Sequence, residues 1–254
     1  MMTKQIIIDD LLVNYTDIKG AGESSRALLF LHGWRSNKEV WQGIIERLTD
    51  LQIERLAIDL PGFGASGTLK TAMSVGDYAA VVAGFIKKLE LRDVVIIGHS
   101  FGGRVGIKLS AAHPELVNKL VLVDSAGFAA PASKKLAYAR LAKIIKPIFK
   151  PRVMQAVRRK IYQKLGAEDY VAMPELQQTF VKVVGEDLSG DIQNIRQPTL
   201  LVWGRNDKDT PLRSGERMHA MVQNSSLVIL EHAGHFSFID QPEKFAGVLK
   251  KFVS

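Results

Sequence analysis

The chain has 254 residues, of which 46% are hydrophobic and 24% are charged, so it is long enough for a globular fold with a substantial core. It contains no cysteine, which excludes disulfides, zinc thiolates and a cysteine nucleophile and makes a reducing cytoplasm the expected compartment. No apolar run is long enough for a membrane span or a signal peptide, so we expect neither. The formal net charge of +8 raises nucleic acids and anionic membranes as candidate partners.

The first half of the chain alternates short apolar runs with helical patterns, which is typical of α/β proteins. Residues 5–8 and 11–15 predict an early hairpin that turns at Asp9 and Asp10. Asn37 is placed to cap an amphipathic helix. Further buried strands are predicted over residues 27–31, 53–58, 94–97 and 120–123, and a second helix is predicted over residues 78–89.

The strand predicted over residues 94–97 runs directly into a G-x-S-x-G motif formed by Gly98, Ser100 and Gly102. A helical pattern follows the motif, and this strand–turn–helix context is that of a nucleophile elbow. The turn is so sharp that side chains at the two glycine positions would collide. It also directs the serine hydroxyl at the helix N-terminus, where free N–H groups favour negative charge. We therefore predict a nucleophilic Ser100, and the alternative is a glycine-rich turn with an incidental serine.

A second candidate site element is the His32-Gly33-Trp34 turn after the strand over residues 27–31. Ligands of α/β sheets bind at the carboxyl ends of strands, and a glycine permits close approach of the backbone. We expect the N–H of Trp34 to donate to an oxyanion and His32 and Gly33 to lie against the substrate. The alternative is an ordinary strand–helix loop. Asp59 ends the next strand, where we expect it to stabilise a turn rather than to act in catalysis.

These motifs together resemble the α/β-hydrolase superfamily. The residues that carry the resemblance are the His-Gly turn, D-L-P-G-F-G-x-S from Asp59 onward, and G-H-S-F-G-G around Ser100. The similarity is closest to small, cap-bearing esterases and C–C-bond hydrolases, and it covers nearly the whole chain outside the middle segment. It implies a mostly parallel eight-stranded sheet with helices on both faces. It also implies a triad in the order Ser, acid, His, with no metal or organic cofactor.

The resemblance places the acid of the triad after the strand predicted over residues 199–203. The family pattern is a glycine, an aspartate three residues on and a later proline, which Gly204, Asp207 and Pro211 match. Asp207 is therefore the predicted acid. The alternatives are Asp209 close by and Asp124, which ends an earlier strand where some family members keep the acid. A purely structural Asp207 would cap the helix that begins near residue 213.

The resemblance also places the base, at His235 in a Gly-His pair after the last strand, with the Pro-Glu pair of the family pattern following at Pro242. Phe236, the next residue, is expected to line the substrate site. The remaining histidines are assigned to the proposed oxyanion turn, to the position beside Ser100, to helices or helix ends, or to the end of a strand; they are His32, His99, His113, His219 and His232.

The expected reaction follows from these assignments. His235 would take a proton from Ser100, Asp207 would fix the imidazole tautomer, and the N–H groups of Phe101 and Trp34 would hold the oxyanion. The first hypothesis is hydrolysis of small-molecule carboxylic esters with a small to medium acyl chain. A C–C-bond hydrolase of the meta-cleavage type, a thioesterase, a lactonase and a monoacylglycerol-type lipase are alternatives. From another class, a non-catalytic ligand-binding protein on the same fold is the competing hypothesis.

The resemblance divides the chain into a core over residues 1–126 and 194–254 and an inserted helical cap over residues 127–193. Apolar stripes predict cap helices over residues 138–149 and 153–165, and a third that begins at Pro174 and carries Leu176, Phe180 and Val184. Eleven Lys and Arg residues lie between Lys134 and Lys164 with no acidic residue among them. We interpret them as a solvated face, with docking on an anionic membrane surface as the alternative. Nucleic acid is not expected, because no reader motif accompanies the charge. The sequence predicts no oligomeric state.

Overall fold

The structure of the protein, a computed structural model, describes residues 2–20, 26–129 and 173–254. These residues form eight strands, which are β1 (Met2–Ile8), β2 (Leu11–Ile18), β3 (Arg26–Leu31), β4 (Glu54–Ile58), β5 (Arg92–His99), β6 (Lys119–Val123), β7 (Thr199–Gly204) and β8 (Ser225–Leu230). They make one sheet in the order β1-β2-β4-β3-β5-β6-β7-β8. β2 is antiparallel to β1 and β4, whereas β3 to β8 run parallel. The predicted mostly parallel eight-stranded sheet is confirmed.

Helices connect the parallel strands. They are α1 (Gln42–Arg47), α2 (Val75–Lys88), α3 (Phe101–Ala112), α4 (Gln177–Gly185), α5 (Ser189–Asn194), α6 (Leu212–Met221), α7 (Ser237–Asp240) and α8 (Pro242–Val253). Single 3-10 turns are found at Lys38–Trp41, Pro114–Leu116 and Pro174–Leu176. In the described ranges, no helix is both long and apolar enough to cross a membrane.

The hydrophobic core lies on both faces of the sheet. In β3, Leu29 and Leu31 pack on one face with side chains of α2 and α3, and Leu28 and Phe30 pack on the other with side chains of α1 and α8. A strand that is buried on both faces needs apolar residues at consecutive positions, which is why these strands are continuous apolar runs in the sequence.

Two helix starts differ from the prediction by a few residues. Asn37 does act as an N-cap, but it caps the 3-10 turn, and α1 begins only at Gln42. α2 begins before the predicted residue 78, because Ser74 and Asp77 form a reciprocal capping box that satisfies the first backbone N–H groups.

Asp59 holds the loop after β4 together, as predicted for a turn-stabilising residue. Its buried carboxylate accepts hydrogen bonds from the backbone N–H and the Nζ of Lys38, at 2.7 and 3.1 Å, and from the N–H of Ala65 at 2.9 Å. Gly64 has a φ of +55°, and a Cβ there would lie 2.3 Å from the Asp59 carboxyl carbon, so only glycine fits.

The part of the insertion that is described packs on the core beside the carboxyl ends of the strands. The turn at Pro174 and α4 confirm the third predicted helix, although Val183, and not Val184, is the buried residue alongside Leu176 and Phe180. The Phe180 ring lies 5.1 Å from that of Trp34. The other two predicted cap helices and the basic cluster between Lys134 and Lys164 lie outside the described residues.

The two ends of this insertion meet beside α3. Arg104, buried on α3, donates hydrogen bonds to the carbonyls of Phe128, at 3.2 Å, and Glu186. The N–H of Leu188 donates to the carbonyl of Gly127 at 2.9 Å. Burial lowers the pKa of Arg104 to about 10, so its guanidinium stays charged at neutral pH. The chain therefore leaves and re-enters the core at one place.

Candidate active site

Ser100 occupies a strained turn between β5 and α3. Its φ is +50° and its ψ is −107°, a conformation that L-residues rarely adopt. A Cβ on Gly98 would lie 2.5 Å from the carbonyl oxygen of Gly102, and a Cβ on Gly102 would lie 2.4 Å from that of Leu31. The predicted reason for both glycines is confirmed, and Gly102 is constrained by β3 as well as by the turn.

His235 connects Ser100 to Asp207 through its two ring nitrogens. Its Nε2 lies 3.0 Å from the Ser100 Oγ, and its Nδ1 lies 2.9 Å from the Asp207 Oδ2. The carboxylate accepts only, so Nδ1 carries the hydrogen and Nε2 is free to accept one from the serine hydroxyl. The structure thus brings together the three residues predicted as nucleophile, base and acid, with the hydrogen-bond order that their proposed roles need.

The carboxylate of Asp207 is held from two sides. Its Oδ1 accepts the N–H groups of Asp209 and Thr210 at 2.8 and 3.0 Å, and its Oδ2 lies 2.7 Å from the Thr210 Oγ1. Asp207, Asp209 and His235 each place a ligand-type atom within 4.8 Å of the others, a spacing that suits a cation. The oxygens of Asp207 accept hydrogen bonds from two backbone N–H groups and from His235, and a further one whenever the single Thr210 hydroxyl hydrogen points at Oδ2, so we expect no metal there.

The pKa values of Asp207 and His235 shift in the directions expected for an ion pair. Burial opposes the charged form of Asp207, but the hydrogen bonds from His235 and Thr210 outweigh it and lower the pKa of this carboxyl below 3.8. Burial also opposes charging of His235, and the hydrogen bond and charge of Asp207 outweigh it and raise its pKa above 6.5. Asp207 is therefore ionised at neutral pH, where it favours an imidazolium on His235.

The two alternative acids do not contact His235. Asp209 is exposed and contributes only its backbone N–H to Asp207. Asp124 is buried, and its carboxylate accepts hydrogen bonds from Gly204 and Ser237 instead. Burial raises the pKa of Asp124 to about 7, because the donors around it are neutral and only partly offset the desolvation of its charge.

The two expected oxyanion donors flank the serine. Phe101 is the first residue of α3, so its N–H has no partner within the helix. Trp34 follows Gly33, where a Cβ would lie 3.4 Å from the Ser100 Cβ and 2.7 Å from the His99 Nδ1. Within the described segments, no backbone carbonyl accepts a hydrogen bond from the amide of either Trp34 or Phe101. Both N–H groups are therefore free to bind a reacting oxygen.

Of the three residues expected to lie against the substrate, His32 is placed elsewhere, whereas the positions of Gly33 and Phe236 agree with the expectation. His32 is fully buried: its Nε2 accepts from the N–H of Leu60 at 3.0 Å, and its Nδ1 bonds the carbonyl of Gly33 at 2.7 Å. Burial lowers its pKa to about 4, so it is a neutral structural residue and does not face a substrate. Gly33 lies beside Ser100, and Phe236 is 40% exposed with its ring 5.6 Å from that of His235.

Sequence reasoning missed two contacts that orient the site. His99, assigned only to the position beside Ser100, lies with its Nε2 2.7 Å from the carbonyl of His235. Its burial, with the adjacent His235, lowers its pKa to about 3, so it stays neutral. Thr210, which bonds Asp207, also lies 3.3 Å from the His235 Nδ1. Its place between Asp207 and Pro211 was the only signal in the sequence.

An eight-stranded, mostly parallel sheet with a serine elbow after its fifth strand defines the class of α/β-hydrolase folds. The model of the alpha/beta hydrolase family matches residues 28–248, and the chain belongs to that family. The membership expected from the elbow and the His-Gly turn is thereby confirmed.

Three similar proteins illustrate this membership. The chain is 25% identical to the uncharacterized hydrolase YugF of Bacillus subtilis, over 98% of this chain and 97% of the relative. It is 30% identical to a pimeloyl-[acyl-carrier protein] methyl ester esterase of Nitrosomonas europaea, over 86% of this chain and 92% of the relative. A bacterial membrane phospholipase A of known structure is 27% identical, with a TM-score of 0.78 over 99% of this chain and 85% of that chain.

Proposed function

We propose that the protein is a serine hydrolase that cleaves carboxylic esters of small to medium acyl chain through an acyl-enzyme intermediate. The observation that carries this proposal is the hydrogen-bonded series from the Ser100 Oγ through His235 to Asp207, with its 3.0 and 2.9 Å spacings. A serine hydroxyl is a weak nucleophile at neutral pH and needs an adjacent base, which the His235 Nε2 supplies.

In the first half of the reaction, the His235 Nε2 takes the hydroxyl proton as the Ser100 Oγ bonds the ester carbonyl carbon. The N–H groups of Trp34 and Phe101 stabilise the resulting oxyanion, and one such donor is typically worth about 10²–10³ in rate. His235 then gives its proton to the leaving alcohol oxygen as the carbon–oxygen bond breaks. Asp207 stays ionised and stabilises the imidazolium throughout.

In the second half, water attacks the acyl-enzyme. His235 takes a proton from the water, the oxygen bonds the acyl carbon, and the same two N–H groups bind the second oxyanion. The bond to the Ser100 Oγ breaks, the proton returns to that oxygen, and the carboxylic acid leaves. The ester and one water are consumed, an alcohol and a carboxylic acid are released, and Ser100 and His235 return to their starting forms.

Relatives support ester hydrolysis over the other chemistries of the fold. The 30% identical relative is named as a methyl ester esterase, and the 27% identical structure is a phospholipase A. Fold likeness alone would not choose a bond type, because one fold hosts many reactions. The described part of the insertion supports a cap over residues 127–193, because Phe180 of α4 packs on Trp34 of the proposed oxyanion turn.

The test is hydrolysis of p-nitrophenyl esters across acyl chain lengths by the wild type, Ser100→Ala and His235→Ala. We expect turnover by the wild type, with the optimum at short to medium chains, and losses of at least about a thousandfold in both variants. Ser110→Ala is the control, because this serine is buried on α3 and lies in no proposed reaction step. A wild type that hydrolyses no ester and whose Ser100 is not labelled by a fluorophosphonate would refute the proposal.

A further inference from the structure

A short segment at the end of β6 contacts all three elements that carry the proposed reacting residues. The carbonyl of Val123 accepts the N–H of Ser100 at 3.0 Å, and the N–H of Ala126 donates to the carbonyl of Ser100 at 3.2 Å. The side chain of Ser125 packs on Gly103, where a Cβ would lie 2.0 Å from its Oγ. The backbone of the nucleophile elbow is thus fixed against residues 123–126.

Asp124 lies in the middle of this segment and bonds the other two elements. Its Oδ1 accepts the N–H of Gly204 at 2.7 Å, and its Oδ2 accepts the N–H and the O–H of Ser237 at 3.1 and 2.5 Å. Its own carbonyl lies 2.9 Å from the Thr210 Oγ1, and its N–H donates to the carbonyl of Val202 at 3.0 Å. The carboxylate and the N–H of this fully buried residue therefore have partners, and its carbonyl shares the single Thr210 hydroxyl hydrogen with the Asp207 Oδ2.

These partners stand close in sequence to the reacting residues. Gly204 comes three residues before Asp207, and Thr210 comes three residues after it. Ser237 comes two residues after His235. With so few rotatable bonds between, fixing Gly204, Thr210 and Ser237 leaves little freedom for the carboxylate of Asp207 and the imidazole of His235 to move apart.

The backbone of Asp124 has a φ of +44°, in the left-handed region that most L-residues avoid. The three donors that converge on its carboxyl group are two N–H groups and one hydroxyl, so both oxygens act as acceptors when the group is ionised. Asparagine has the same shape but only one acceptor oxygen, and its NH₂ would face a donor at one of the two places.

We propose that Asp124 is a positioning residue that ties the loop of Asp207 to the loop of His235 and so keeps the His235 Nε2 within reach of the Ser100 Oγ. This inference rests on the proposed function, because the alignment matters only if Ser100 and His235 react. Asp124 touches neither the substrate nor the reacting atoms, and it acts through the two loops.

The test compares Asp124→Ala, Asp124→Asn and Ser237→Ala with the wild type, and Ser110→Ala is the control for loss of a buried hydroxyl. A fluorophosphonate titrates the reactive Ser100 in each preparation, so that kcat is expressed per active site and unfolded protein is not counted. The substrate is the p-nitrophenyl ester on which the wild type is fastest.

We expect kcat per titrated site to fall about tenfold to a hundredfold in Asp124→Ala, since a displacement of about 1 Å can reduce a rate that much. KM should stay within about twofold. Asp124→Asn should retain part of the rate, because one acceptor remains. The kcat of Ser237→Ala should fall a few-fold, and that of Ser110→Ala should equal the wild-type value.

Equal kcat per titrated site in all three test variants, with only the melting temperature reduced, would overturn the inference and leave the proposed function standing. A rise in KM without a fall in kcat would also overturn the inference. A wild type that neither hydrolyses esters nor reacts with the fluorophosphonate would refute the proposed function, and the inference with it. If Asp124→Ala does not fold, Asp124→Asn and Ser237→Ala decide the matter.

Discussion

Asp207 and Asp124 are both buried aspartates at the carboxyl ends of neighbouring strands, yet their pKa values move in opposite directions. Asp207 follows β7 and faces His235, an imidazole that can become a cation, and its pKa falls below 3.8 in spite of burial. Asp124 follows β6 and accepts hydrogen bonds from neutral N–H and O–H groups, and burial, with a smaller contribution from the charge of Asp207, raises its pKa to about 7. Burial raises the pKa of both carboxyls, and only Asp207 has a partner whose hydrogen bond and charge outweigh it.

Asp59 at the end of β4 extends the comparison. It too is buried, but its partner is the permanent cation of Lys38, 3.1 Å away. Three strand-end aspartates thus have three kinds of partner, and only Asp207 has one that can both give and take a proton. A position at a strand end is therefore not enough to make a carboxylate the acid of a triad. The carboxylate must also face a histidine.

The largest expected effect separates Asp207 from its neighbour Asp209. Asp207→Asn removes the charge that holds the His235 tautomer, so kcat should fall by about 10³–10⁴. Asp209→Asn should keep nearly the wild-type kcat, because Asp209 bonds Asp207 only through its backbone. Steady-state hydrolysis of a p-nitrophenyl ester measures both. Comparable losses in the two variants would show that the acid has been assigned wrongly.

The next effect concerns Asp59. Lys38→Met leaves a buried carboxylate without its cation, which should lower the free energy of unfolding by about 3–5 kcal/mol in urea denaturation. Lys250→Met breaks the Lys250–Asp50 pair, which is exposed to solvent, and should lower the free energy of unfolding far less, because water screens this pair. Equal losses of unfolding free energy in the two variants would show that burial does not strengthen the Lys38–Asp59 pair.

A third effect is the dependence of stability on pH at Asp124. Its pKa is about 7 in the folded protein and 3.8 ordinarily, so folding favours the protonated form. This contribution is complete below pH 3.8 and is lost as the pH rises to 7, by on the order of 3–4 kcal/mol. Asp124→Asn lacks this contribution. Between pH 4 and 7, the free energy of unfolding of the wild type should therefore fall relative to that of Asp124→Asn. Parallel curves in urea denaturation would contradict the raised pKa.

The smallest expected effect is a displaced pH profile. His235 must be neutral to accept the Ser100 proton, and Asp207 raises its pKa. The acid limb of kcat/KM should therefore lie above pH 6.5, and in Asp207→Asn the limb of the residual activity should move to lower pH. A limb that stays in place would mean that another group controls it.

The sequence predicted most of what depends on neighbouring residues. Apolar runs located every strand of the parallel sheet, and the glycines around Ser100 indicated the elbow, because strand burial and turn geometry are local properties. The resemblance then supplied the candidates Asp207 and His235, in an order that the fold accommodates.

The failures share one cause, which is that partners distant in sequence cannot be read from a local pattern. His32 looked like a substrate contact, but the N–H of Leu60, 28 residues on, binds its ring. Asp124 was only an alternative acid, since nothing near it shows that Ser237, 113 residues later, donates to its carboxylate. Strand ends gather side chains from the whole chain, and only the assembled sheet shows which of them meet.

The hydrogen bonds at the base of the insertion bear on how such a protein can diversify. Arg104 holds the carbonyls of Phe128 and Glu186, so both attachment points of the insertion belong to the core. A segment with pinned ends adds loop-closure entropy only with the logarithm of its length. The stretch between can lengthen, shorten or be exchanged at little expense to the stability of the core. The insertion can therefore evolve as a separate module while Ser100 and its partners remain unchanged.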